Sequence, residues 1–207
     1  MSRLAAAFFS WLQNTPVYSN LHAQAVALMA PGAGRSWLDV GCGPGLVARL
    51  ASARGYDVLG IDMDRDMIRC ARWHARRDER CRFEVGELGS FSARKSANVV
   101  SAASLLFVVP DPASSIRELW SRVHPGGNLL VIETSELMTP AGVQAVSRGM
   151  HLRDSAALRL WGRARSGRSV ISQVSGQLSP VASDCIPLLE GLVQARVWTK
   201  PADWRSE

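Results

Sequence analysis

Leu38-Asp39-Val40-Gly41-Cys42-Gly43-Pro44-Gly45 decides the reading of this chain. It closes a short apolar run, SWLDV at 36–40, and opens a stretch at 46–54 with helical spacing and Gly55 past its end. A buried strand that turns through glycines into a helix brings backbone N–H groups close to whatever lies over the turn. A pyrophosphate-binding turn would read GxGxxG. Here the spacing is GxGxG, and Leu46 stands where that pattern has its third glycine. Asp39 sits just before the turn. A pyrophosphate needs no carboxylate beside it, whereas a cationic group does. Carboxylate and backbone amides together suit a zwitterion such as an amino-acid moiety.

Outward from the turn, apolar runs and helical periods alternate. Residues 58–61 and 82–85 read as buried strands, and 97–109 as a strand running into a loop. Residues 128–133 form a further strand after Pro125-Gly126-Gly127. Helices are expected at 64–77 and 113–123, and four strand–helix alternations predict an α/β fold with a parallel sheet. Ahead of it, residues 3–13 and 20–30 read as two helices, with QNTPVYSN between them as a helix end and turn. Behind it, 139–168 reads as a helical insertion, and the last piece, within 181–200, as an edge strand. The expected organisation is one domain over 1–207: a helical cap (1–34), a core (35–134), and an insertion with closing strands (135–207).

Composition narrows the function classes. The chain has 207 residues, 47% hydrophobic and 20% charged, ordinary globular usage that excludes disorder and disulfide-dense secreted scaffolds. Its apolar runs fall short of the roughly 20 residues a membrane span requires. The apolar start, MSRLAAAFFSWLQ, runs into QNTPVYSN, a helix end and turn and not a signal cleavage region, and Cys42, Cys70, Cys81 and Cys185 form no CxxC pair or Cys/His metal cluster. No metal is expected, and a cytoplasmic location is. The net charge is +6, and every basic residue except Lys95 and Lys200 is arginine. On the 64–77 helix, Met67, Ile68, Ala71 and Ala75 share one face and Arg65, Arg69, Arg72 and Arg76 the other. That reads as a solvated basic face, the alternative being a phosphate-tracking stripe.

Two further acids follow strands. Asp62 ends the second, where a carboxylate can accept two ribose hydroxyls. Gly86-Glu87-Leu88 follows the third, where an acid can reach an adenine amino group. With these in place, the sequence resembles the class I S-adenosylmethionine-dependent methyltransferases, of the small-molecule type related to ubiquinone and menaquinone biosynthesis. WLDVGCGPGLVARLA, GIDMDRDMIRCAR, FEVGEL, ANVVSAASLLFVVPDP and LWSRVHPGGNLLVIE carry the resemblance, in the family's order, over about residues 35–134. Asn98 and Glu87 stand where the family has Asp, and His124 precedes Pro125-Gly126-Gly127 where it commonly has Leu-Lys.

The resemblance implies a Rossmann-like three-layer fold: a mostly parallel sheet, an antiparallel C-terminal edge strand, added N-terminal helices and a helical insertion after the fifth strand. It implies S-adenosylmethionine as cofactor and S-adenosylhomocysteine as product. Asp39, Gly41, Cys42, Gly43 and Gly45 would surround the methionine part, and Tyr18 would close over it. Asp62 would hold the ribose, Met63 and Met67 would pack near the adenine, and Glu87 and Leu88 would meet its edge. Ser104 would face cofactor and acceptor. Candidate catalytic groups are His151 and Glu133, whereas His22 and His74 read as helix-surface residues. Phe8, Phe9, Trp11 and Tyr18, with the insertion, suit an apolar or aromatic acceptor of metabolite size. The competing readings are methylation of RNA or protein, and a non-catalytic cofactor-binding module. SLLF stands after the fourth strand, where base amino-methylases carry NPPY or DPPY, which argues against a nucleic-acid partner. A monomer or homodimer is expected.

Overall fold

The computed structural model describes residues 3–32, 34–89, 96–165, 169–178 and 181–204. Its strands are β1 (Ser36–Val40), β2 (Asp57–Asp62), β3 (Cys81–Val85), β4 (Ala97–Ala103), β5 (Val123–Thr134), β6 (Ser183–Leu188) and β7 (Val193–Thr199). They form one sheet in the order β3-β2-β1-β4-β5-β7-β6. β1 to β5 run parallel, and β7 pairs antiparallel with both β5 and β6. The antiparallel end of the sheet is therefore as expected. The edge position belongs to β6, because the last strand inserts between β5 and β6. Pro187 fits that edge, since a proline cannot donate to a ladder on both sides.

Side-chain alternation explains the layers. Along β1, Trp37 enters one core, while Leu38 and Val40 enter the other. The helices are α1 (Arg3–Gln13), α2 (Pro16–Ala27), α3 (Leu46–Ser52), α4 (Arg65–His74), α5 (Pro112–Ser121), α6 (Pro140–Ser147), α7 (Leu152–Arg165) and α8 (Ile171–Val174). The Trp37 core takes Leu21 and Val26 of α2, Val47 of α3, Ile68 and Ala71 of α4, Val143 of α6 and Trp161 of α7. The opposite core takes Ile116 and Leu119 of α5 and Ile171 of α8. The three-layer Rossmann-like fold is present, with helices on both faces of the sheet.

Several local expectations shift. α2 begins at Pro16, not Asn20, because a proline is tolerated at the first helical position and Thr15 takes the cap place. Tyr18 thus lies on a helix and not in a turn. The basic face of α4 is exposed as expected, and from it Arg72 also donates to the Phe83 carbonyl through Nε (3.1 Å) and Nη2 (2.7 Å). Arg76 stacks over Trp73 at 4.8 Å, and Arg69 pairs with Asp66 at 2.9 Å. Asn98 lies at the start of β4, where its Oδ1 accepts from Ser36 N (3.0 Å) and Oγ (3.1 Å). It ties β4 to β1 at the end of the sheet opposite the glycine turn. Among the described residues, no helix is long and apolar enough to cross a membrane.

Candidate active site

β1 and β4 are neighbours although β2 and β3 intervene in sequence, so the connection direction reverses between them. In open α/β sheets, ligands lie beyond the carboxyl ends of the strands at such a switch point. The glycine turn stands there. Gly41, Gly43 and Gly45 all have positive φ, of 67°, 51° and 83°. Their freedom is used differently. A Cβ on Gly45 would lie 2.9 Å from Phe83 Cζ and 3.1 Å from Ala71 Cβ, so this glycine lets α3 approach β3 and α4. A Cβ on Gly43 would meet only Gln13 Nε2, at 3.7 Å, which leaves its outer side open.

The acids beside the turn are buried. Trp37 Nε1 donates to Ser101 Oγ (2.8 Å), which donates to Asp39 Oδ1 (2.7 Å). Asp39 Oδ2 is buried with no close hydrogen-bond partner among the described residues, although the Ala48 amide in the first turn of α3 acts on the carboxyl and opposes the rise in its pKa. Burial pushes the Asp39 carboxyl up to about 7, and the nearby Asp62 charge adds to the rise. Asp62 Oδ2 accepts from Gly43 N (2.9 Å) and Oδ1 from Asp64 N (2.9 Å). Burial holds its carboxyl above the usual range despite these bonds. Each carboxylate oxygen carries two lone pairs, so Asp62 can brace the turn and still accept from a ligand. Cys42 is buried, burial drives its thiol well above its ordinary pKa, and its backbone is spent within the turn: its N donates to the Ile61 carbonyl (3.0 Å) and its carbonyl accepts from Gly45 N (2.9 Å).

The adenine-side expectations separate. Met67 is buried under the start of α4, whose cap Asp64 accepts from Asp66 N (2.8 Å) and Met67 N (3.3 Å). Met63, 68% exposed, and the exposed Glu87 stand at the ends of β2 and β3. Leu88 is half-buried against the opposite core, and its carbonyl accepts from Arg122 Nη2 at 3.3 Å. The structure thus brings Asp39, Gly41, Gly43, Gly45 and Asp62 together, with Met63 and Glu87 on the rim.

A second cluster occupies the carboxyl ends of β4 and β5. Ser104 follows β4 at φ 55°, a backbone conformation rare for a residue with a side chain. Its side chain lies close enough to the Tyr18 hydroxyl of α2 to favour the ionised phenol. Burial pushes the Tyr18 hydroxyl up to about 12, so it is protonated at neutral pH. Tyr18 packs on His22 (4.2 Å) and edge-on to Trp161 (5.0 Å). His22 is not a surface residue: it is buried, and burial lowers its pKa to about 4. His74 is half-buried, with Nε2 2.8 Å from Ser10 Oγ.

Glu133 and His151 come apart. Glu133 is buried and accepts from Leu106 N (2.8 Å) and from the Phe107 backbone, so it holds the loop after β4. Burial raises its carboxyl to about 7, opposed by the charge of Arg165. His151 is exposed at the start of α7, in an open groove with Pro16, Asn20 and Asp154. Arg165, at the far end of the 14-residue α7, reaches the Ser104 carbonyl. At 1.5 Å per residue the two ends are about 20 Å apart, so His151 does not join Ser104 and Glu133.

Sequence reasoning passed over Arg165, Gln13 and Leu105. Gln13 Oε1 accepts from Leu46 N (3.2 Å), joining α1 to the start of α3. The Leu105 side chain lies over Gly41, 2.7 Å from where a Cβ would stand. Nothing marks Gln13 locally, and Arg165 is one arginine among many.

Residues 38–131 match the methyltransferase domain family. The ubiquinone biosynthesis O-methyltransferase of Acinetobacter baylyi is 39% identical over 102 residues, 47% of this chain and 42% of that protein. The chain thus spans less than half the length of this curated relative. Among solved structures, an S-adenosylmethionine-dependent methyltransferase from Methanococcus maripaludis, described as putative, superposes with a TM-score of 0.72 at 16% identity, covering 100% of this chain and 96% of that one. The N-methyltransferase NodS from Bradyrhizobium japonicum, in complex with S-adenosylhomocysteine, gives 0.68 at 16% identity over 92% and 90%. The chain resembles class I S-adenosylmethionine-dependent methyltransferases in sequence across its core and in fold along its length.

Proposed function

We propose that this protein is an S-adenosylmethionine-dependent methyltransferase acting on a small, largely apolar or aromatic acceptor. The observation that carries the reading is the open glycine turn at the β1/β4 switch point beside Asp39, whose buried Oδ2 has no close partner among the described residues. A buried carboxylate oxygen without a donor is costly, and an ammonium group supplies the donor it lacks.

In this reading Asp39 and the Gly41–Gly43 backbone hold the methionine end of the cofactor. Asp62 holds the ribose, and Met63 and Glu87 line the adenine side. Bound there, the cofactor supplies an electrophilic methyl group on a positively charged sulfur. The chain's own contribution is to place an acceptor nucleophile in line with it, an effect worth roughly 7–11 kcal/mol in well-oriented systems. Tyr18, Ser104 and Arg165 form the acceptor wall, and Glu133 acts as a positioning residue through the Leu106 and Phe107 amides. The four cysteines are free, which fits the reducing cytoplasm.

The test has two stages. Calorimetry with S-adenosylhomocysteine is expected to show one site, and no binding would sink the reading. Methyl-labelled S-adenosylmethionine is then incubated with the metabolite, RNA and protein fractions of a cell extract. Label is expected in the metabolite fraction; label confined to RNA or protein would replace the acceptor class.

A further inference from the structure

Arg165 closes α7 beneath the surface, 6% exposed. Its guanidinium lies over the Phe107 ring at 4.1 Å. Nη2 donates a long 3.4 Å bond to the Ser104 carbonyl, and Nη1 is buried with no hydrogen-bond partner among the described residues. Glu133 acts on it through space, but accepts from the Leu106 and Phe107 amides. The Tyr18 hydroxyl, protonated at neutral pH, lies near Ser104 and Arg165 and brings no counter-charge to the guanidinium.

A guanidinium is a planar fork that matches a carboxylate with two parallel N–H bonds. The Phe107 ring holds this fork from one side, and the spare Nη1 leaves it half-used. Buried polar groups left without partners in a native protein are rare. This one is anchored at the ends of β4 and β5, whereas the glycine turn and Asp62 follow β1 and β2. We infer that Arg165 determines acceptor specificity by binding a carboxylate of the acceptor. The inference rests on the methyltransferase reading, and it adds an anionic end to an otherwise apolar or aromatic molecule. Arg165 reads this end, while the reacting nucleophile lies elsewhere on the same molecule.

The experiment is calorimetry on the protein saturated with S-adenosylhomocysteine, using acids paired with their own amides: benzoate, 3,4-dihydroxybenzoate, phenylacetate and octanoate. At least one acid is expected to bind at least about tenfold tighter than its amide, the ratio that one charge-assisted hydrogen bond supports. Arg165→Gln is expected to erase that preference and Arg165→Lys to keep part of it, with S-adenosylhomocysteine affinity within about twofold of wild type in both, as for sites that do not share partners. The wild-type comparison and Arg165→Lys decide the matter if Arg165→Gln does not fold. Wild type binding every acid no tighter than its amide would overturn the inference. So would a parallel loss of S-adenosylhomocysteine affinity in the Lys or Gln variant, which would give Arg165 to the cofactor's own carboxylate. Failure of wild type to bind S-adenosylhomocysteine at all would instead strike the underlying methyltransferase reading, and this inference with it.

Discussion

Asp39→Asn tests whether the buried acid serves a ligand at a cost to the fold. The wild-type carboxyl rises from 3.8 to about 7 in the folded protein, chiefly through burial. Between those values the folded protein keeps a proton that the unfolded chain has released, so stability falls as pH rises through this window and the penalty is complete above about 7. At roughly 1.4 kcal/mol per pH unit, the penalty at pH 8 is on the order of 4 kcal/mol, and at pH 5 about 1.5 kcal/mol. Asparagine removes the charge and keeps an oxygen for Ser101, but adds an NH2 facing the place of the unpartnered Oδ2, at about 1–2 kcal/mol. Asp39→Asn should therefore be more stable than wild type by about 2–3 kcal/mol at pH 8, and close to wild type at pH 5. Urea unfolding followed by tryptophan fluorescence at both pH values measures this. The same variant should bind S-adenosylhomocysteine about 10- to 150-fold more weakly, the worth of a hydrogen bond between charged groups. A stability difference independent of pH would refute the account of the buried charge, and unchanged ligand affinity would refute its role.

Asp62→Ala should weaken S-adenosylhomocysteine binding by about ten- to a hundredfold in calorimetry and also lower stability by about 1–3 kcal/mol, because the same carboxylate holds the Gly43 and Asp64 amides. Gly45→Ala should destabilise by about 2–4 kcal/mol in denaturant, since its Cβ would meet Phe83 and Ala71 at a left-handed φ. Gly43→Val has room against Gln13 but places a β-branched residue at φ 51°, so it should lose about 1–2 kcal/mol of stability and, where folded, lose cofactor binding by filling the open side of the turn; a folded variant that binds normally would remove the turn from the site. His151→Ala should leave turnover and S-adenosylhomocysteine affinity unchanged, as its ring is exposed at the opposite end of α7 from Arg165, and a measured loss of turnover would restore it to the acceptor site.

The order of elements, the parallel core and the glycine turn were legible in the chain because each rests on local patterning. Apolar runs bounded by glycine specify buried strands, and 3.6-residue spacing specifies the helices that cover them. Asp39, Asp62 and the three glycines could be read for the same reason, since their roles follow from position at a strand end. Pro16 was misread locally, as part of a turn and not as a helix start, although proline at a first helical position is itself a local signal. The placement of β7 between β5 and β6 depends on which edges remain unpaired once the parallel strands are assembled.

The acceptor wall is a matter of tertiary structure alone. Tyr18, Ser104, Glu133 and Arg165 come from four elements far apart in the chain, and meet because α2 and α7 pack on the same face of the sheet. Sequence showed a helical insertion carrying a histidine and several arginines, and chemical habit favoured the histidine. Which end of α7 turns inward is settled by Trp161 packing on Tyr18 and by Gly162, where a Cβ would lie 2.6 Å from Val143 of α6. That close packing buries the C-terminal end of the helix, and with it the guanidinium, while the start with His151 stays in water. Periodicity assigns a residue to a face of its own helix, but only long-range packing decides how deep each end of that helix lies.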